Sequence, residues 1–291
     1  MRRAGGASMA WLDRRLGSDF ATGLRLGLAL APRVASGRFR GRVVLAGMLF
    51  GSGRWRRPVK LQLDAPSGQI DFIVPDYSAL KALGQVFVDR KYDVATEQDP
   101  RSILDLGAHI GVSALFFRRR FPSARIVAIE ASPSLIPILK RNTRELNVEV
   151  HHLAVARSEG TVYFQESKES WAGKTVTQRP SAAAVPAVTL DSLLLDSVDL
   201  VKISIGGGAE FDILPTCERL DEVSHVVVEA QAAPGTPRSI KLLESLESFD
   251  VSSNQPGPLV RFTLFKARRP RRGGTRTRRR MGTGDGGTEP R

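Results

Sequence analysis

Between Leu12 and Leu28 the large apolar residues Leu12, Leu16, Phe20, Leu24 and Leu28 recur every four positions, with Trp11 beside them and Arg14, Arg15 and Arg25 interspersed. That recurrence follows one face of a helix, which is expected to pack on the domain or to lie on an anionic membrane. Gly17, Gly23 and Gly27 weaken this helix. From Val59 the period changes. Val59 to Leu63 alternates, Asp64 to Gly68 supplies turn residues and Ile70 to Val74 resumes strand character, which predicts a hairpin. A helix is expected over Ser78 to Val86.

Short apolar runs then alternate with helical stretches. Ile103 to Leu106 reads as a strand, followed by a glycine turn and a helix through Phe121. Arg125 to Ile129 is the next strand, ending in Glu130, and Pro133 to Leu146 reads as a helix with both prolines confined to its start. Val148 to Val155 and Thr161 to Gln165 are further strands, the second peripheral. Residues 166–184 have no clear period and are expected to be a loop or lid. Val185 to Leu195 leads into a buried strand over Asp199 to Ile205. A short helix at Ala209 to Cys217, a strand at His225 to Glu229 and a helix at Ser239 to Ser248 follow. Phe249 to Ser252 and Leu259 to Lys266 close the pattern as a strand pair. This alternation predicts an α/β fold: a mostly parallel sheet with helices on both faces and one antiparallel strand. In such sheets ligands sit at the carboxyl ends of the strands.

Composition narrows the chemistry. Of 291 residues, 42% are hydrophobic, enough for a sizeable core. The single cysteine, Cys217, excludes an internal disulfide framework, and His109, His151, His152 and His225 show no H-x-x-x-H spacing, so no metal is expected. No apolar run approaches the length of a spanning helix, and the N-terminus lacks the pattern of a secretory signal, so a cytoplasmic protein is expected. The net charge of +13 is uneven: residues 1–60 carry +11 and residues 266–291 carry +8, leaving 61–265 at −6. A mildly acidic body argues against a nucleic-acid substrate. The organisation expected is a basic, partly amphipathic segment (1–58), a folded domain (59–267) and a basic, disordered tail (268–291). The basic ends could make weak contacts with an anionic membrane or nucleic acid.

The chemistry concentrates in the first two strand–helix units. Asp105-Leu-Gly-Ala-His-Ile-Gly111 follows a strand and opens a helix, so Gly107 and Gly111 allow a tight turn and close backbone approach to a ligand. Glu130 ends the next strand, where a carboxylate can take both hydroxyls of a ribose. The spacing is G-x-x-x-G and not the G-x-G-x-x-G that meets a dinucleotide pyrophosphate. Asp105 beside the turn favours a cationic ligand such as S-adenosylmethionine.

The run from Ile103 to Phe117 resembles the first motif of FkbM-type methyltransferases, a branch of the class I S-adenosylmethionine-dependent enzymes. Further matches follow in order: Phe87 to Tyr92 before the cofactor strand, Ile129-Glu-Ala-Ser-Pro133 at the ribose acid, Val188 to Leu194, Val198 to Leu214, and Val226 to Glu229. The resemblance spans about Val59 to Lys266. It implies a Rossmann-like class I methyltransferase fold with seven strands, S-adenosylmethionine as the donor, and O-methylation of a hydroxyl on a sugar or other small molecule. By position it assigns Asp105, Gly107, His109 and Gly111 to the methionine end of the cofactor, Glu130 to the ribose and Ala154 to the adenine. His109 stands where the family usually has Asn.

The resemblance breaks at Lys202-Ile-Ser-Ile-Gly-Gly-Gly-Ala-Glu210, where the family reads K-I-D, one residue, then E-G-A-E. Ser204 and Gly206 replace its central carboxylates, and only Glu210 matches the final acid. Lys202 and Glu210 are the catalytic candidates, with His109, His152 and Glu229 as alternative bases. Three explanations stay open: another base substitutes, the acceptor needs no strong base, or the chain binds a cofactor or partner without catalysing. RNA methylation is a further reading, drawn from the basic ends alone. Asp191 is expected to cap the helix after it, Cys217 to be a buried hydrophobe, and Trp171 to be a weak candidate for substrate stacking.

Overall fold

The computed structural model describes residues 18–167, 170, 173–176, 181–230, 235–254 and 263–269. Trp11, Leu12, Leu16, Trp171 and the basic tail from Pro270 onward lie outside them. The first described elements are helices α1 (Ser18–Val34) and α2 (Arg40–Gly51). They cross so closely that a side-chain carbon on Gly23 would stand 2.1 Å from the Gly47 carbonyl oxygen. Strands β1 (Val59–Ala65) and β2 (Gly68–Val74) form the expected hairpin, with Val59 opposite Val74. Helix α3 (Tyr77–Phe87) follows, its first turn capped by Asp76, whose carboxylate accepts from the Ala79 N–H at 2.8 Å. Leu26 of α1 packs where Gly84 of α3 leaves room. The N-terminal helices thus share an apolar core with the hairpin, α3 and the sheet, through Leu30, Val43, Phe72, Leu83 and Phe117.

The main sheet begins with β3 (Ser102–Leu106), helix α4 (Val112–Arg120), β4 (Arg125–Glu130), helix α5 (Ile136–Thr143) and β5 (Val148–His152). Across β3 from these lie β10 (Leu200–Ile203), β11 (His225–Ala230), β12 (Asp250–Asn254) and β13 (Thr263–Arg268), with helices α7 (Glu210–Ile213) and α8 (Pro237–Glu244) between strands. The order is β12-β13-β11-β10-β3-β4-β5, parallel apart from β13. This is the seven-stranded class I methyltransferase fold. The chain runs outward from β3 in one direction and returns through β10 in the other, so the two strands flank a topological switch point, where a crevice opens at the carboxyl edge. The centre is covered on both faces, as Leu200-Val201-Lys202-Ile203 is fully buried.

Several expected elements are cut differently. The strand expected over Val148 to Val155 breaks at Leu153, whose N–H donates to the Glu130 carbonyl at 3.1 Å. Beyond the break, β6 (Ala154–Val155) joins a second sheet with β7 (Gly160–Gln165), β8 (Lys174–Val176) and β9 (Ala183–Val188), ordered β6-β9-β7-β8. The stretch 166–184 is therefore not all loop. Pro215 helps to end the helix expected over Ala209 to Cys217, which is α7 followed by a tighter turn at Leu214–Thr216. Helix α6 (Leu190–Leu193) is capped by Thr189, not Asp191; Asp191 instead accepts from the Arg219 N–H at 2.8 Å.

One buried side chain joins the hairpin to the main sheet's helices. Asn142 of α5 accepts from the Ile73 N–H at 2.7 Å and donates to the carbonyls of Ile73 at 3.0 Å and Ile110 at 2.8 Å. Replacing it by leucine strands these backbone groups, and Asn142→Leu is expected to lower stability by about 2–4 kcal/mol in urea unfolding. A loss below about 0.5 kcal/mol would show that the hairpin is held by apolar packing alone.

Candidate functional site

The carboxyl ends of β3, β4, β10 and β11 open onto a cavity of about 630 Å³, within the range of roughly 300–1,000 Å³ found for small-molecule sites. Its base is built at the β3 turn. Gly107 has φ +73°, and a side-chain carbon there would stand 2.1 Å from the Ser204 carbonyl oxygen, so the turn requires glycine. Lys202, buried on β10, reaches under this turn. Its ammonium lies 3.0 Å from Asp105 and donates to the carbonyls of Leu106 at 3.1 Å and Gly107 at 2.7 Å. Ser113 donates to the other Asp105 oxygen at 2.5 Å.

One side of the cavity is shaped by Glu130. One carboxylate oxygen accepts from the His109 N–H and the other from the Ser132 N–H, each at 2.8 Å. Burial raises its carboxyl above the usual range despite these bonds and the Lys202 charge. Leu153, Ala154, Val155 and Phe164 supply an apolar wall nearby. His109 has φ +54°, and its ring nitrogen is 2.8 Å from the Ser170 hydroxyl. Ser170 is held by its N–H to Asp76 at 3.0 Å, which ties the chain there to the α3 cap. Burial drives His109 down to about 4, so its ring is neutral at neutral pH.

The opposite side is made by α3, the turn after it, and the ends of β10 and β11. Glu229 pairs with Lys91 at 2.6 Å and accepts from Ser204 at 2.7 Å and from the Tyr92 hydroxyl at 3.3 Å. Burial raises the Glu229 carboxyl, but the Lys91 charge and the bonds from Lys91 and Ser204 outweigh it, and the group lies below its ordinary value. Burial pulls Lys91 down against the attraction of Glu229. The Tyr92 phenol is pushed well above its usual value by burial and then by the Glu229 charge.

These positions redraw the candidate list. Gly107, His109, Glu130, Ala154, Lys202, Ser204 and Glu229 line the cavity. Asp105 does not: it is fully buried beneath the turn and engaged by Lys202 and Ser113, so it offers no open carboxylate to a cationic ligand. Gly111, with φ +91°, packs on Leu139 and Thr143 of α5, outside the cavity lining. Glu210 is also fully buried and absent from the lining, although Ala209 before it is present. Lys202 is spoken for by Asp105 and two carbonyls, which makes it a positioning residue. His151 contacts Glu149 at 2.7 Å, His152 contacts the Ala131 carbonyl at 3.1 Å, and neither lines the cavity. Cys217 is half-buried and pushed up to about 12 by burial and Asp191, which makes it a poor nucleophile. Lys91, Ser170 and Asp76 were not candidates; Lys91 lies within the Phe87 to Tyr92 match without being singled out there, and Ser170 and Asp76 come from stretches without a motif. Among the described residues no cluster of three or more His, Cys, Asp or Glu is arranged to hold a metal.

His109 makes stability depend on pH in a defined direction. Its folded value lies below that of an exposed imidazole, so the unfolded chain takes up the proton first as pH falls. Its contribution is neutral above pH 6.5 and destabilising as pH drops from 6.5 to about 4. In His109→Asn, a residue tolerant of positive φ, the fall in denaturation midpoint over that window is expected to be shallower than in wild type. An identical slope would assign the acid sensitivity elsewhere.

No family model matches the chain. Methyltransferase 1 of Beauveria bassiana is 27% identical over 205 residues, covering 59% of this chain and 81% of that protein. Methyltransferase sdnD of Sordaria araneosa is 26% identical over 229 residues, covering 64% of this chain and 88% of its own. Among solved structures, the FkbM methyltransferase of Methylobacillus flagellatus has a TM-score of 0.46 at 13% identity, covering 86% of this chain and 60% of that one. Aeropyrum pernix fibrillarin, solved with S-adenosyl-L-methionine, has a TM-score of 0.41 at 13% identity, covering 61% and 71%.

Proposed function

We propose that this chain is an S-adenosylmethionine-dependent methyltransferase of the FkbM type that methylates a hydroxyl on a sugar or other small molecule. The observation that carries this reading is one cavity with a ribose-type carboxylate, Glu130, on one side and a Lys91-paired carboxylate, Glu229, on the other. The two relatives named as methyltransferases support the general class.

The residues present fit such a donor. Glu130 spends one lone pair of each oxygen on a backbone N–H and keeps others for ribose hydroxyls. Ala154, Leu153 and Phe164 offer an apolar wall to an adenine ring. Gly107 lets backbone stand where any side chain would intrude. The neutral His109 adds no positive charge beside a cationic ligand. Bound S-adenosylmethionine supplies a methyl group made electrophilic by the attached sulfonium.

The acceptor is assigned to the Glu229 side. Lys91 keeps Glu229 ionised at neutral pH, so the carboxylate accepts a hydrogen bond from the acceptor hydroxyl, beside Ser204. As the acceptor oxygen gains the methyl it loses its proton, and Glu229 is the group placed to hold that proton. Its low basicity makes orientation its larger contribution. In this way Glu229, reaching from β11, offers a carboxylate beside Ser204, where the family motif would have carried its own.

Calorimetric titration with S-adenosylmethionine and S-adenosylhomocysteine tests the reading, together with transfer of labelled methyl to a panel of hydroxylated acceptors. Wild type is expected to bind both ligands, and Glu130→Ala to bind them about tenfold to a hundredfold more weakly. Glu229→Gln is expected to bind the donor normally and to lose about 10²-fold in transfer. A folded wild type that binds neither ligand would overturn the assignment. Binding without transfer to any acceptor would favour the non-catalytic alternative.

A further inference from the structure

Helix α2 is apolar almost all round, and among the described residues its outer face has no covering partner. Val43, Ala46 and Phe50 are buried against the core, yet Leu45 on the other side is 51% exposed, with Val44, Met48 and Leu49 half-buried around it. In α1, Leu28 is 53% exposed. Two residues beyond α2 comes Arg54-Trp55-Arg56-Arg57, all exposed. From Phe20 to Leu63 the chain holds nine Lys and Arg and no Asp or Glu. An exposed apolar helix face, a neighbouring tryptophan and a long acid-free run of arginines occur together in the helical hairpin and the link from it to β1.

We propose that this helical hairpin is a docking surface for an anionic lipid bilayer. Exposed leucines and Trp55 gain from burial in hydrocarbon or at its boundary, and the arginines nearby match lipid phosphates, a pairing that a second copy of this equally basic segment would not offer. Nucleic acid would satisfy the arginines and leave the leucines in water. Helix α2 has 12 residues, too few to cross a bilayer, which needs about 20. Among the described residues no helix is long and apolar enough to span, so contact is along the surface. The hairpin packs through Leu26 on α3, the helix whose Lys81 and Gln85 line the cavity.

Flotation of the full chain with vesicles tests this, comparing phosphatidylcholine alone with phosphatidylcholine mixed with phosphatidylglycerol. Attachment is expected only to the mixed vesicles and is expected to weaken with salt. Leu45→Glu, at an exposed site and with its fold checked by circular dichroism, is expected to weaken it about tenfold or more, as is Arg54→Gln/Arg56→Gln/Arg57→Gln. Arg278→Gln/Arg279→Gln/Arg280→Gln, in the basic tail, is expected to retain attachment. Three results would overturn the proposal: no attachment by wild type, attachment lost only in the tail variant, or a dimer in light scattering that Leu45→Glu dissociates. RNA binding that survives Leu45→Glu, with no vesicle attachment, would reassign the surface to nucleic acid.

Discussion

The buried contact between Lys202 and Asp105 holds the centre of this fold. It joins neighbouring parallel strands at the switch point, where β10 lies beside β3 with Lys202 in register with Asp105. Neither charge reaches solvent, so each requires the other. The remaining donors of the ammonium fix the carbonyls of Leu106 and Gly107, which sets the path of the glycine turn. That turn presents the His109 N–H to Glu130, and the Glu130 carboxylate in turn faces the cavity. The lysine acts on the site through the backbone.

A second ion pair, Lys91 with Glu229, lies at the other side of the same cavity. The two pairs differ in what they leave open. Asp105 is sealed under the turn, whereas Glu229 lines the cavity with its charge maintained by Lys91. Tyr92 stands between them, its ring 5.3 Å from each lysine ammonium. Its phenol stays protonated and can only donate to Glu229 or accept. The polar floor is thus a connected set in which one carboxylate is structural and the other faces the ligand space.

Much of this architecture was legible in the chain. Short apolar runs separated by helical periods locate β3, β4, β10 and β11, because parallel strands buried on both faces carry that pattern. Gly107 and Glu130 were legible because a turn needing positive φ and a strand-end acid leave local marks. The burial of Asp105 was not legible, for a physical reason. Its position beside the turn was visible, but its saturation depends on Lys202, 97 residues later, and no local pattern reports it. Glu210 matched a motif by residue type, yet the turn built by Gly206–Gly208 presents Ala209 to the cavity and takes Glu210 into the interior. Lys91 was missed although its stretch was matched, because its role depends on Glu229, 138 residues later on β11, and no local pattern reports that pairing.

The central claim is that Lys202 and Asp105 act as one unit, and a double-mutant cycle on stability measures it most directly. Urea unfolding of wild type, Lys202→Met, Asp105→Leu and the double variant yields the coupling. Each single substitution strands a buried charge and is expected to cost about 3–5 kcal/mol, with the double variant no less stable than either single. Costs that simply add, or single losses below about 0.5 kcal/mol, would contradict the account and leave the glycine turn held by other contacts.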